Sequence, residues 1–188
     1  MVKTKSELGR NVETPAEMTG DAPILDINGE PIDPVWAAEF RGFFWGEGTI
    51  RVQAGRPLAE KMPHVKWVGY SHSIAASIGL RSDDEPLLLE FQRRLGGNVR
   101  RERYRDASDK TISRWVVGVA IDNLRIARLL ASPTGLPFLK AQQLAIWRQA
   151  VETKLRSGAT PAARYTVEDR AFMVWAAGEL MRLRRWGG

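Results

Sequence analysis

Cysteine is absent from the 188 residues, which excludes disulfides, cysteine-ligated zinc and thiol catalysis. Histidine is almost absent: His64 and His72 are the two in the chain, too few for a histidine-rich metal centre and little material for a Ser-His triad. No apolar run approaches the roughly 18 residues a membrane span needs, and no early apolar stretch resembles a signal peptide. These absences predict an intracellular, cytoplasmic protein with no membrane partner.

What the chain does contain is 44% hydrophobic residues, enough for one domain with a real core, and a net charge of +6 with a pI near 10.0. The charge is unevenly spread. Residues 1–32 carry three basic and six acidic side chains, leaving 25 basic and 16 acidic among residues 33–188. The part expected to fold is therefore the basic part, and it suits a polyanionic partner. Residues 1–32, polar and interrupted by Pro15, Pro23 and Pro31, read as a flexible tail.

The most informative stretch is WAAEFRGFFWGEG, residues 36–48. It has helical spacing and stops in a glutamate, Glu47, held between Gly46 and Gly48 just before an alternating run. Asp33 and Pro34 supply a helix start ahead of it. A carboxylate at a helix C-terminus can meet a divalent cation, which also gains from the helix dipole and the unpaired carbonyls there, that of Gly46 included. Gly42 and Gly46 lie one turn apart, so a second backbone can approach closely. By themselves these residues also fit an amphipathic helix with an ordinary glycine cap and Glu47 in solvent.

Further along, Ile50, Val52 and Ala54 alternate with Thr49, Arg51 and Gln53, giving a strand with one apolar and one polar face. A second strand is expected over 65–73, ending at His72. Asp83, Asp84, Glu85 and Pro86 start a helix whose stripe is Leu87, Leu88, Phe91 and Leu95, closed by Gly96 and Gly97. Strands follow over 98–105 and 111–120, with Trp115, Val117 and Val119 on one face and Arg114 and Val116 on the other. A helix over 123–131 comes next, packing through Leu124, Ala127 and Leu130 or through Ile126 and Leu129. Another runs through Ile146, Trp147, Ala150 and Val151. The last, capped near Thr166, carries Phe172, Trp175, Ala176, Leu180 and Leu183 and ends in Arg182, Arg184 and Arg185.

Residues 40–48, Phe-Arg-Gly-Phe-Phe-Trp-Gly-Glu-Gly, resemble the LAGLIDADG motif of homing endonucleases in the variant ending Asp-Gly-Glu-Gly. Gly42, Phe43, Gly46, Glu47 and Gly48 fit; Arg41 replaces the usual small alanine and Trp45 the first acidic residue. The element order αββαββα is also that family's, and residues 87–99 and 136–143 resemble its second helix and the segment after its third. The resemblance covers about residues 34–155. It implies an α+β fold, a four-stranded antiparallel sheet with helices on one face, for a core at 33–156, followed by a C-terminal helical extension at 157–188.

The resemblance further implies a site-specific, Mg²⁺-dependent endonuclease for double-stranded DNA, leaving short 3′ overhangs and serving the mobility of an intron or free-standing element. A single motif implies a homodimer joined through Ala38, Arg41, Gly42, Trp45 and Gly46. Glu47 and the Gly46 carbonyl would hold metal, with His72, Arg81, Lys140 and Gln142 as further catalytic candidates. Base or phosphate contacts are expected from Thr49, Arg51, Gln53, Arg56, Lys66, Arg100, Arg101, Arg103 and Arg114, where Arg addresses guanine and Gln adenine. The alternative is the same fold without cleavage, as a sequence-specific DNA-binding regulator or an RNA-binding maturase.

Overall fold

The Asp33 carboxylate accepts from the backbone N–H groups of Val35 and Trp36, both at 2.9 Å, satisfying donors that a helix start leaves unpaired. Pro34 takes the first helical position, where no N–H is needed. The resulting helix is α1, Pro34–Glu47. The structure, a computed structural model, describes residues 23–55, 72–103, 111–131, 136–157 and 165–185. After α1 come β1 (Gly48–Gln53), β2 (Ser73–Arg81), a short 3-10 turn at Ser82–Asp84, α2 (Glu85–Leu95), β3 (Asn98–Arg103), β4 (Thr111–Val117), α3 (Ala120–Leu130), α4 (Phe138–Arg156) and α5 (Val167–Arg185).

The strands form one antiparallel sheet in the order β1-β2-β4-β3. Ile50, Val52, Ile74, Ala76, Ile78, Trp115 and Val117 point to the same side and are buried with side chains from all five helices. The helices thus share one face of the sheet, and the other face is left to Thr49, Arg51, Gln53 and their neighbours. This is the expected αββαββα core with two further helices. At its centre Phe40 stacks on Trp36 (5.4 Å between ring centroids) and meets Phe91 edge-on at 5.1 Å. The buried Trp115 ring donates from Nε1 to the Gly96 carbonyl at 2.8 Å.

Several expectations shift. The second strand is Ser73–Arg81, not 65–73: it starts where the expected strand ends, and 65–71 lie outside the described residues. β4 stops at Val117 because Asn123 donates back from Nδ2 to the carbonyls of Val117 and Val119 at 3.1 and 2.9 Å, so α3 begins at Ala120 rather than 123. The α2 stripe is Leu88, Phe91 and Leu95, with Leu87 outside it, and Trp175 of α5 is exposed. Residues 23–32 are not a loose tail. The Asp26 carboxylate accepts from the N–H groups of Asn28 and Glu30, Ile27 N–H donates to Arg94 O at 2.9 Å, and Arg125 Nε donates to Leu25 O at 2.7 Å. That turn is docked on α2 and α3, and residues 1–22 lie outside the described residues.

The passage from α2 to β3 depends on glycine. Gly97 has φ +83°, and a Cβ there would lie 2.6 Å from the Val116 carbonyl oxygen. Gly97→Ala is expected to cost about 1–3 kcal/mol, lowering the thermal midpoint by roughly 2–4 °C per kcal/mol for a domain of this size. Gly178→Ala, in α5 with open space around the added carbon, should leave the midpoint unchanged or raise it. Circular dichroism melting of the two variants checks the contrast.

Candidate nucleic-acid interface and metal-binding carboxylate

Glu47 is the last residue of α1, and the Gly48 N–H closes the helix on the Phe44 carbonyl. The Glu47 carboxylate is exposed and has no hydrogen-bond or ion-pair partner among the described residues. It lines a cleft of about 620 Å³ with Thr49, Arg81, Asp84 and Arg114. Arg81, expected near the site, is therefore brought beside Glu47; it makes one exposed ion pair, 3.4 Å to Asp83. Lys140, in the first turn of α4, sits 5.4 Å from the Trp45 ring centroid, at the same end of α1. Gln142 is exposed on α4, its neighbour Gln143 being the buried one.

His72 is not at this site. It precedes Ser73, which pairs with Gln53, whereas Glu47 precedes Gly48, which pairs with Ile78, so the two stand at opposite ends of the β1–β2 ladder. The misplacement follows from the strand beginning, not ending, at this point. His72 is buried, with its ring edge-on to Tyr165 at 4.9 Å; Nδ1 accepts from the Gly55 N–H and its carbonyl accepts from Lys154 Nζ at 2.7 Å. It ties α4 and the approach to α5 to the edge of the sheet.

On the open face of the sheet, the register lines up Thr49 with Ser77 and Val116, Gly79 with Arg114 and Arg100, and Arg81 with Ile112 and Glu102. Arg51 and Gln53 stand on the same face nearer the far end of β1, and Arg51 is close enough to Arg184 of α5 for the two charges to repel. Arg101 falls on the helix side instead. It donates from Nε and Nη2 to Glu85 at the start of α2, which also accepts from Ser113, and these hydrogen bonds hold the Glu85 carboxyl at about 2. Strand alternation made this unavoidable once Arg100 faced outward. Arg103 pairs with Thr111 at the end of the β3–β4 ladder, and its side chain, with Arg56 and Lys66, lies outside the described residues.

No protein-family model and no curated protein matches the chain. Solved structures do. It is similar to the homing endonuclease I-TnaI at 19% identity and TM-score 0.57, covering 82% of this chain and 95% of that one. An archaeal intron-encoded homing endonuclease, I-Vdi141I, complexed with DNA, matches at 14% identity and TM-score 0.58 over 79% of this chain and 84% of its own. I-SmaMI, bound to an uncleaved DNA target in the presence of calcium ions, matches at 15% identity and TM-score 0.57, with 80% of this chain covering 45% of it. This chain has the LAGLIDADG homing endonuclease fold.

The residues expected to join two copies do not all lie on the outer face of α1. Ala38, Gly42 and Gly46 are exposed there, and a Cβ added at Gly42 or Gly46 would meet nothing within 4 Å. Arg41 does not belong to that face. Its Nε donates to the Leu129 carbonyl at 2.9 Å near the C-terminus of α3, so this side chain, expected between the two copies, is occupied within its own chain. Trp45 is half-buried and meets Phe44 edge-on as well as Lys140. Glu102 and Asp84 were not expected at the site from the sequence; for Glu102 a signal was present, since it alternates in step with Arg100.

Burial, then the charges of Lys154 and Arg170, push the His72 imidazole below its ordinary value of 6.5. A depressed histidine contributes stability that is fully present above the unfolded value and is lost as pH falls toward the folded one. Wild type should therefore lose stability on acidification from about pH 6.5, and this component should vanish in His72→Gln. Urea midpoints measured between pH 8 and 5 read the difference.

Proposed function

We propose that the chain is a homodimeric, metal-dependent, site-specific DNA endonuclease. The observation that carries the reading is Glu47: a carboxylate without a partner among the described residues, held at the end of α1 beside a sheet face bearing Arg51, Arg81, Arg100 and Arg114. An exposed carboxylate with no cation of its own suits a hard divalent ion such as Mg²⁺, which prefers oxygen ligands and retains waters. Among the described residues no group of three His, Cys, Asp or Glu gathers within one chain. The ligand set is then completed by the Glu47 of a second copy, by the Gly46 carbonyl of each and by DNA phosphate. When bound, such ions supply the polarising charge for phosphodiester hydrolysis.

The remaining roles fall to this chain's own side chains. Arg81 faces the Glu47 cleft and offsets charge accumulating on the phosphate. Lys140, held over Trp45, does so from α4, and Gln142 can order water beside it. Thr49, Arg51, Gln53, Arg100 and Arg114 read the major groove, and Arg184 adds a phosphate contact beside Arg51. The α1 faces of two copies meet through Ala38, Gly42 and Gly46. That I-SmaMI is matched over about half its length supports this: two copies of this chain would make up a molecule of that size. The reading extends to mobility of the element that encodes the chain, I-Vdi141I being an intron-encoded homing endonuclease.

One specific feature favours the same fold without cleavage. Trp45 stands where a first acidic residue would be, leaving a single acid in the motif of each chain. Incubation of a randomised duplex library with Mg²⁺ separates the readings. Wild type should cut a defined site, and Glu47→Gln, equal in size but uncharged, should bind that site with cleavage reduced at least about a hundredfold. If neither cuts but both enrich one sequence, the protein is a recognition module.

The dimer is tested at Gly42. A Cβ at Gly42 meets nothing within 4 Å in the isolated chain, so Gly42→Leu should still fold, with the far-ultraviolet circular dichroism of wild type. It should also shift sedimentation toward the monomer and weaken binding to the enriched site.

A further inference from the structure

Among the described residues, the charged side chains that the strands place on the open face are basic with one exception, Glu102. It stands on β3 two residues from Arg100, so both point the same way, and Arg100 pairs in register with Arg114 of β4. Each Glu102 oxygen faces one of the two arginines: Oε2 accepts from Arg114 Nε at 3.0 Å, and Oε1 forms an ion pair with Arg100, 2.8 Å from its Nε. The Arg114 guanidinium extends over Gly79 of β2, with its Cζ 3.8 Å from where a Cβ would be. Two guanidinium groups on adjacent strands repel, and the shared carboxylate offsets that. It also selects which nitrogens remain. With Nε taken in both, each arginine keeps Nη1 and Nη2, and neither atom has another partner among the described residues.

That pair of nitrogens is the end of the fork that can reach the O6 and N7 acceptors of guanine together. We infer that Glu102 is a positioning residue for base recognition, clamping Arg100 and Arg114 so that each presents its two terminal N–H groups to a guanine in the major groove. The inference rests on the DNA-binding part of the proposed function and does not require cleavage. An acidic side chain lowers affinity for phosphate on this face, so its place there is accounted for by selectivity, not strength. Arg51, with no carboxylate beside it and Arg184 near, is left for less selective contacts.

The test is selection of a randomised duplex library by the full chain in metal-free buffer, where no cutting occurs. Wild type is compared with Glu102→Gln, Arg100→Lys and Arg114→Lys, each first confirmed folded by melting. The wild-type site should contain guanines whose preference falls roughly tenfold or more in the lysine variants, at one position for Arg100→Lys and at another for Arg114→Lys. Glu102→Gln should lose preference at both positions while its affinity for unrelated DNA rises. Were Glu102→Gln to keep both guanine preferences, or to lose a cytosine preference instead, the positioning role would be overturned with DNA recognition intact. Failure of wild type to enrich any sequence overturns both this inference and the reading it rests on.

Discussion

The open face of the sheet and Glu47 beside it are placed by one junction. α1 ends and β1 begins at adjacent residues, and that is possible because residue 48 is glycine: a Cβ there would lie 2.5 Å from the Phe44 carbonyl oxygen and 2.7 Å from the Phe44 ring. The helix therefore closes directly onto the strand, and Glu47 has no loop in which to wander. Phe44 anchors the junction from the other side. It is fully buried and is followed inward by Phe40, which meets Trp36, Phe91 and Trp115. The position of one surface carboxylate is thus tied by aromatic packing to α2 and β4. A larger residue at 48 would move the acid relative to every outward side chain of β1.

That junction was legible in the sequence because each of its parts has a strong local cause. Asp33 and Pro34 start the helix, glycines close it, and Ile50 and Val52 alternate cleanly with Thr49, Arg51 and Gln53, as the strand then buries them. β2 was not legible. Ile74, Ala75, Ala76 and Ile78 are all buried while Ser77 and Gly79 face outward, so a central strand paired on both sides presents small residues where a period of two would be read from large ones. The bulkier run before it, with Val65, Trp67 and Tyr70, looks more like a strand by side-chain preference. His72 was carried into the site by that error and belongs to the packing between the sheet edge and α4.

The two sides of β3 show how alternation sorts similar residues into different jobs. Arg100 and Arg101 are adjacent and equally basic. One faces outward and shares Glu102 with Arg114; the other faces the helices and is held with Ser113 on Glu85 at the start of α2. Both carboxylates are held below the usual range by these partners, Glu102 by Arg114 first and Glu85 by Arg101 first. The inner pair closes α2 against the sheet on the side away from the open face. Net charge alone would have counted both arginines toward a polyanion. The open face of the sheet is therefore less basic than the sequence total suggests.

The same economy applies at α1. With Arg41 turned onto Leu129, the outer face of the helix carries Ala38, Gly42 and Gly46, which bury little apolar area, beside the exposed Val35 and Glu39. Two such faces gain their contact from close backbone approach, which in the proposed dimer also brings two Glu47 carboxylates toward each other. Like charges at short range oppose that approach, and a cation between them relieves the repulsion. Assembly and metal binding are then linked: whatever the ion contributes by binding the pair better than the single chain is added to the stability of the dimer. An interface of small residues need not be strong alone when the ligand it creates a site for, and the DNA that spans both copies, bind the assembled form preferentially.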